Sequence, residues 1–229
     1  MRNLSILLLF IAAGFLLISC IGSTGQDAKA GPDEIYFDYR ITGEEGNDSV
    51  SVILKFHEFS EYGAVVLFAA SVQIDNQPVD IDSSSITGPF FSLTKHVADF
   101  TGKHTILVTA PGGKKYKEQF SFRPFKITSG ITDTMSRDKM IIQLEGLDRY
   151  NPVRILMTDT SFTGQGINQV DTVINNRIVI SRNSLTALQN GPVNMELIKE
   201  NERPVENGTQ AGGILSVVYA VRREFYLKD

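Results

Sequence analysis

Laid over itself with an offset of 88 positions, the chain keeps its apolar residues in step over most of both halves. Phe37 falls on Phe125 and Tyr39 on Ile127, while Val52, Leu54 and Phe56 fall on Met140, Ile142 and Leu144. Phe59 falls on Leu147, Tyr62 on Tyr150, Val65 on Val153 and Leu67 on Ile155; later, Val97 and Phe100 fall on Leu185 and Leu188. One inserted residue then brings Ile106 and Val108 onto Met195 and Leu197. A repeat that preserves apolar spacing rather than identity marks two copies of one folding unit. The chain is therefore expected to build two tandem domains from the same elements in the same order.

Within each copy the apolar period is two, the period of a half-buried strand. Val50, Val52, Leu54 and Phe56 recur at every second position, and Met140, Ile142 and Leu144 repeat the pattern. Val65 to Val72 is a continuous apolar run and predicts a buried strand. Ile106, Val108 and Ala110, then Pro111-Gly112-Gly113-Lys114, then Tyr116, Phe120 and Phe122, predict a hairpin. In the second copy Asn194–Glu200 and Leu215–Leu227 form the matching pair, joined by a long polar connection over Asn201–Gly213. Apolar residues at three-residue spacing predict a helical turn near Leu93–Phe100 and another near Asn183–Leu188. Short strands between turn signals, with no sustained helical period, predict an all-β fold of two tandem β-sandwiches.

The N-terminus follows a different logic. Arg2 precedes an uncharged run, Leu4 to Leu16, of about 13 residues, or roughly 20 Å as a helix. That is short for a bilayer span and has the layout of an export signal. The run ends Leu17-Ile18-Ser19-Cys20, which resembles the bacterial lipobox. The resemblance implies cleavage between Ser19 and Cys20, and a diacylglyceryl group on the Cys20 thiol. Cys20 is the only cysteine in the chain, so no thiol remains for a disulfide or a cysteine-ligated metal. Residues 21–33 are rich in Gly, Ala, Ser and Thr and read as a flexible tether. Removing residues 1–19 leaves 21 basic against 26 acidic side chains. That balance gives no electrostatic footprint for nucleic acid and no polybasic membrane patch, so attachment is expected through the lipid alone.

The strand number and spacing over residues 34–229 resemble immunoglobulin-like and fibronectin-type domains. The chain has no Trp and no inter-sheet cysteine pair, so the resemblance is architectural and does not imply function. The lipobox, the polar tether and the ending GGILSVVYAVRREFYLKD together resemble small Bacteroidetes-type lipoproteins with tandem modules. The expected division is signal peptide 1–19, lipidated Cys20 and tether 20–33, first sandwich 34–124 and second sandwich 125–229. The junction falls at Arg123-Pro124-Phe125, where Pro124 removes a ladder donor and no Gly/Ser linker intervenes, so a stiff elbow is expected.

No catalytic set emerges. His57, His96 and His104 show no metal-ligand spacing, and no G-x-S-x-G nucleophile turn is present. Gly164-Gln165-Gly166 lacks the context of a nucleotide loop, and Glu44-Glu45 reads as solvated charge in a turn. Asp75, Asp80 and Asp82 in IDNQPVDID form a weak candidate for calcium, which takes several hard oxygens. The alternative is a turn nucleated by Asp75-Asn76 and Pro78. Phe90-Phe91 predicts one outward ring, a candidate stacking surface. Asp48-Ser49-Val50, Asp133-Thr134-Met135 and Asp171-Thr172-Val173 resemble a short Bacteroidetes O-glycosylation motif, which implies Ser49, Thr134 and Thr172 as acceptors. No cofactor is expected. The expected role is a non-enzymatic, lipid-anchored binding or assembly module, with a carbohydrate-binding accessory lipoprotein as the alternative. Ile21 in place of Asp after the lipidated Cys implies the outer membrane, and a tether without a dense acidic run slightly favours its periplasmic face.

Overall fold

Alternation along the strands decides which sheets form and which way they face. A computed structural model describes residues 29–129, 131–161 and 165–229. The first half folds as β1 (Ile35–Glu44), β2 (Asn47–Glu58), β3 (Ser71–Ile74), β4 (Gln77–Pro78), β5 (Asp80–Ser84), β6 (Gly88–His96), β7 (Gly102–Thr109) and β8 (Lys115–Phe122). One layer runs β1-β2-β6-β5 and the facing layer β4-β3-β7-β8. The second half adds β9 (Lys126–Ile127), β10 (Thr134–Ser136), β11 (Met140–Glu145), β12 (Pro152–Asp159), β13 (Ile167–Thr172), β14 (Arg177–Ile180), the single turn α1 (Arg182–Leu185), β15 (Gly191–Thr209) and β16 (Gly212–Lys228). Here β14-β11-β9 faces β13-β12-β15-β16, and β10 pairs in parallel with β16. Both halves are immunoglobulin-like sandwiches, and the fold is all-β.

The repeat is visible in the layers. β2 corresponds to β11, and the hairpin β7–β8 corresponds to β15–β16. The helical turn at Asn183–Leu188 is α1, capped by the Ser181 hydroxyl, which accepts the Ser184 amide. Its counterpart is looser: β6 continues to His96, and only then does a turn form, with the Phe100 amide donating to the His96 carbonyl at 3.0 Å. The apolar run Val65–Val72 departs from expectation. Val65 makes one bridge to His57, and strand begins only at Ser71. Phe68 and Ala69 turn into the core while Leu67 points out. Strand order leaves this segment as a loop between the two layers of the first sandwich, where an apolar run covers the open end of the core.

The larger departure lies at the C-terminal end. Residues 201–213, expected as a polar connection, are strand and turn within one long hairpin. At about 3.3 Å per residue, the 17 residues of β16 reach roughly 55 Å. The hairpin therefore runs out of the second sandwich and along the first. Phe37 to Glu44 of β1 pair in parallel with Gly213 to Ala220. One sheet thus runs β13-β12-β15-β16-β1-β2-β6-β5 through both halves. The chain passes from β8 to β9 at Arg123–Phe125, but the hydrogen-bonded layers continue across that point. An exposed edge strand invites foreign pairing; here the chain's own hairpin covers the β1 edge.

Gly213 permits this approach. A Cβ there would lie 2.5 Å from the Phe37 carbonyl oxygen and 2.8 Å from the Phe37 Cβ. Overpacking of this kind costs about 1–3 kcal/mol. Gly213→Val is expected to lose that much stability in urea unfolding, whereas Gly112→Ala, with nothing within 4 Å, should leave it unchanged. Equal stability of the two variants would mean that the β1–β16 contact is not tight.

Candidate functional site

Three groupings of side chains stand out, and the first joins the hairpin to the first sandwich. Strand β8 buries Tyr116, Glu118, Phe120 and Phe122 in strict alternation, so a carboxylate occupies a core-facing position. Glu118 is 2% exposed. Its carboxylate pairs with the Arg203 guanidinium at 2.6 Å and accepts the backbone amides of Glu206 at 2.8 Å and Asn207 at 3.4 Å. Those amides are free because the β15–β16 register breaks between Pro204 and Thr209. Arg203 also donates to the Gln119 carbonyl at 2.6 Å. These contacts tie the hairpin to the first sandwich, so the arrangement serves as a clamp.

A second grouping lies at the junction. Arg222 pairs with Glu44 at 2.7 Å and with Glu196 at 3.1 Å, and Arg223 pairs with Glu45. Glu44 and Glu45, expected as solvated charge, are thus partners of the second sandwich. A separate groove of about 380 Å³ at the junction is bordered by Arg123, Asp148, Asn151, Lys199, Asn201 and Tyr219. Arg123 and Asp148 stand 3.3 Å apart across it. Burial holds the Lys199 ammonium below the ordinary lysine range, against Asp148, which raises it. The groove offers paired donors and acceptors fixed on strands and a short loop, suited to a polar ligand.

The third grouping is apolar, at the end of the first sandwich where the described chain begins. A cleft of about 430 Å³ is walled by Ala30, Pro32, Ile35, Val66, Phe68 and Pro111.

The residues singled out from sequence fall as follows. Cys20 and Ser19 lie outside the described residues, as does Gly164. Asp75 sits in the β3–β4 turn at φ 51°. Its carboxylate accepts the Thr105 amide at 2.8 Å and meets His104 Nδ1 at 2.6 Å. His104 in turn stacks on Phe100, ring centroids 3.9 Å apart, with Nε2 2.9 Å from the Phe100 carbonyl. Asp80 and Asp82 are exposed on the edge strand β5, where Asp82 accepts the Ser83 amide. The three aspartates are not brought together, and among the described residues no three His, Cys, Asp or Glu side chains are grouped to hold a metal ion. His57 is buried, with Nδ1 3.2 Å from the Gly63 carbonyl, and His96 is exposed. Phe91 is core, while Phe90 is half-buried under the Lys55 ammonium. Ser49 is half-buried and donates to Asn47 at 2.8 Å; Thr134 and Thr172 are exposed on β10 and β13.

Sequence reasoning missed Glu118, although a signal was present. Lys115-Tyr116-Lys117-Glu118-Gln119-Phe120 places the carboxylate in phase with the buried aromatics. Nothing comparable marked the groove, whose residues come from separate segments.

No protein-family model and no curated protein matches the chain. Among solved structures it is similar to a 1.5-MDa bacterial ice-binding adhesin at 11% identity, covering 87% of this chain and 66% of that one, with a TM-score of 0.25. It is similar to the tandem Ig repeats of Dlar at 10% identity, covering 85% and 97%, with a TM-score of 0.26. It is similar to SGBP-B of the Bacteroides ovatus mixed-linkage glucan utilization locus, solved with a mixed-linkage heptasaccharide, at 10% identity, covering 86% and 60%, with a TM-score of 0.22. The chain thus spans less than two thirds of the adhesin and SGBP-B chains. Likeness at this level does not extend to function, and the immunoglobulin-like assignment rests on the strand order and register described above.

Proposed function

We propose that the protein is a lipid-anchored, non-enzymatic binding or assembly module of the bacterial cell envelope. The observation that supports this most is the β15–β16 hairpin. It ties both sandwiches into one sheet and sets them in line, with the start of the described chain at one end. Such a body, held by its N-terminus, carries its second sandwich away from the membrane and presents loops and sheet edges at fixed positions to a partner. The lipobox supplies the anchor at Cys20, and Ile21 after it suits the outer membrane of a Gram-negative host.

The anchor is tested by Cys20→Ala. Only the Cys20 thiol can take the diacylglyceryl group, since the chain has no other cysteine. Two or three acyl chains anchor stably, at about 0.8 kcal/mol per buried CH₂. The variant is expected to lose labelled-palmitate incorporation entirely and to leave the membrane pellet once its signal is cleaved. Retained label would refute the anchor.

The junction groove favours a second reading, a carbohydrate-binding accessory lipoprotein. Arg123, Asp148, Asn151 and Asn201 offer the mixed donors and acceptors that sugar hydroxyls require. A glycan array separates the two: submicromolar sugar binding, abolished by Asp148→Ala, overturns the protein-partner reading. An array without binding, together with site-specific crosslinks from exposed strands to an envelope protein in intact cells, supports it.

A further inference from the structure

We infer that the tether end of the first sandwich is a membrane-contacting face, whose partner is the bilayer surface itself. Four loops and the chain start meet there. The Phe59 amide donates to the Glu34 carbonyl at 2.7 Å, and the Gln210 amide, at the hairpin tip, donates to the Asp33 carbonyl at 2.9 Å. Lys114 pairs with Asp33 at 2.8 Å, and a Cβ on Gly88 would come within 3.1 Å of the Val65 side chain. The β2–β3 loop, the β5–β6 turn, the β7–β8 turn and the β15–β16 tip therefore share one pole with Lys29, where the described chain begins.

That pole carries an unusual set of side chains. Ile86 is 93% exposed, Tyr62 90%, Leu67 59% and Phe59 49%. Turn tips are ordinarily built from Gly, Pro, Asn, Asp and Ser, so an isoleucine and a tyrosine standing almost free are out of place beside water alone. The apolar cleft opens on the same pole, with Leu67 at its margin. Tyr62 follows Glu61 in the β2–β3 loop and stands with its ring and hydroxyl outside the core. Tyrosines, apolar in the ring and polar at the hydroxyl, are enriched at membrane interfaces.

Chain length selects the occupant. Only eight residues, 21–28, lie between Cys20 and Lys29, a reach over the nine steps of at most about 30 Å extended and roughly 17 Å as a coil. A sandwich so held keeps this pole within roughly 17 Å of the lipid, near enough for its tips to reach the interface. The charges on the pole are mixed, Lys29 and Lys114 against Asp33, Glu34, Glu58 and Glu61. Contact is therefore apolar and requires no anionic lipid. This inference rests on the Cys20 anchor proposed above: the acyl chains hold the protein, and the pole sets its orientation by dipping apolar tips about 5–10 Å into the interface.

The chain has no tryptophan, so one introduced residue reports alone. The full lipidated protein, carrying Ile86→Trp, Leu67→Trp or Val170→Trp, is placed in phosphatidylethanolamine–phosphatidylcholine vesicles that contain lipid brominated near the headgroup. Val170 is 58% exposed on β13 in the second sandwich and serves as the distant control. Reporters at 86 and 67 are expected to be quenched at least about twofold more than the one at 170, since only they enter the interface. Position 86 packs against nothing, so a failure to fold at 67 leaves the test intact. Quenching no greater at 86 than at 170 overturns the proposal, whether or not the protein floats with the vesicles. Flotation compared with Cys20→Ala scores the anchor separately.

Discussion

Glu118→Ala is expected to lower stability by about 3 kcal/mol. Removing one partner of a buried ion pair typically costs about 3–5 kcal/mol, and the lower end applies because Arg203 keeps some contact with water. The loss has a place as well as a size. Without the carboxylate, the Glu206 and Asn207 amides have no acceptor where the ladder is broken. Amide exchange should therefore rise over residues 203–209 before it rises in β2 or β11. A double-mutant cycle with Arg203→Ala should show strong coupling, since the second substitution removes a charge that the first has stranded. Unchanged protection over 203–209 would mean that the backbone ladder alone holds the hairpin against the first sandwich.

Phe37→Ala should cost more, about 3–5 kcal/mol. The ring is fully buried and lies edge-on to Phe56 at 5.2 Å and to Tyr116 at 5.1 Å. Tyr39 and Phe68 pack against it at 5.7 and 5.8 Å. These neighbours come from both layers of the sandwich, so they cannot all close on the space left behind. The residue also sits opposite Gly213 in the β1–β16 ladder. Urea unfolding should show the loss, and Phe37→Leu should recover most of it. A Phe37→Ala loss near 1 kcal/mol would show that the aromatic cluster repacks freely.

Much of this architecture was legible because alternation reports burial directly. Val52, Leu54 and Phe56, like Met140, Ile142 and Leu144, face a core and announce their strands. The distal half of β15 was not legible for the same reason. Asn201, Glu202, Arg203 and Asn207 sit in a strand whose faces meet water or a buried carboxylate, so polarity there marks a lack of core rather than a lack of strand. The opposite error occurred at Val65–Val72, where apolar residues cover a core without belonging to a ladder. The Asp75-x-x-x-x-Asp80-x-Asp82 spacing looked like a ligand set because sequence cannot show that His104 and the Thr105 amide already take the Asp75 carboxylate. The junction groove was invisible: its residues lie at the end of β8, in the β11–β12 loop and on β15 and β16, and only the fold brings them together.

The hairpin also orders events in time. β1 acquires its second neighbour only when residues 213–220 arrive, after nearly all the rest of the chain. During synthesis or passage across a membrane, the first sandwich stands with one edge open until the last strand is delivered. Closing that ladder joins segments far apart in the sequence, Phe37 with Gly213 through Glu44 with Ala220, a pairing of high loop-closure cost. The sandwich of β1 to β8 is made before that of β9 to β16 yet completed by it, and a chain cut short before Gly213 would lose the strand that covers the β1 edge.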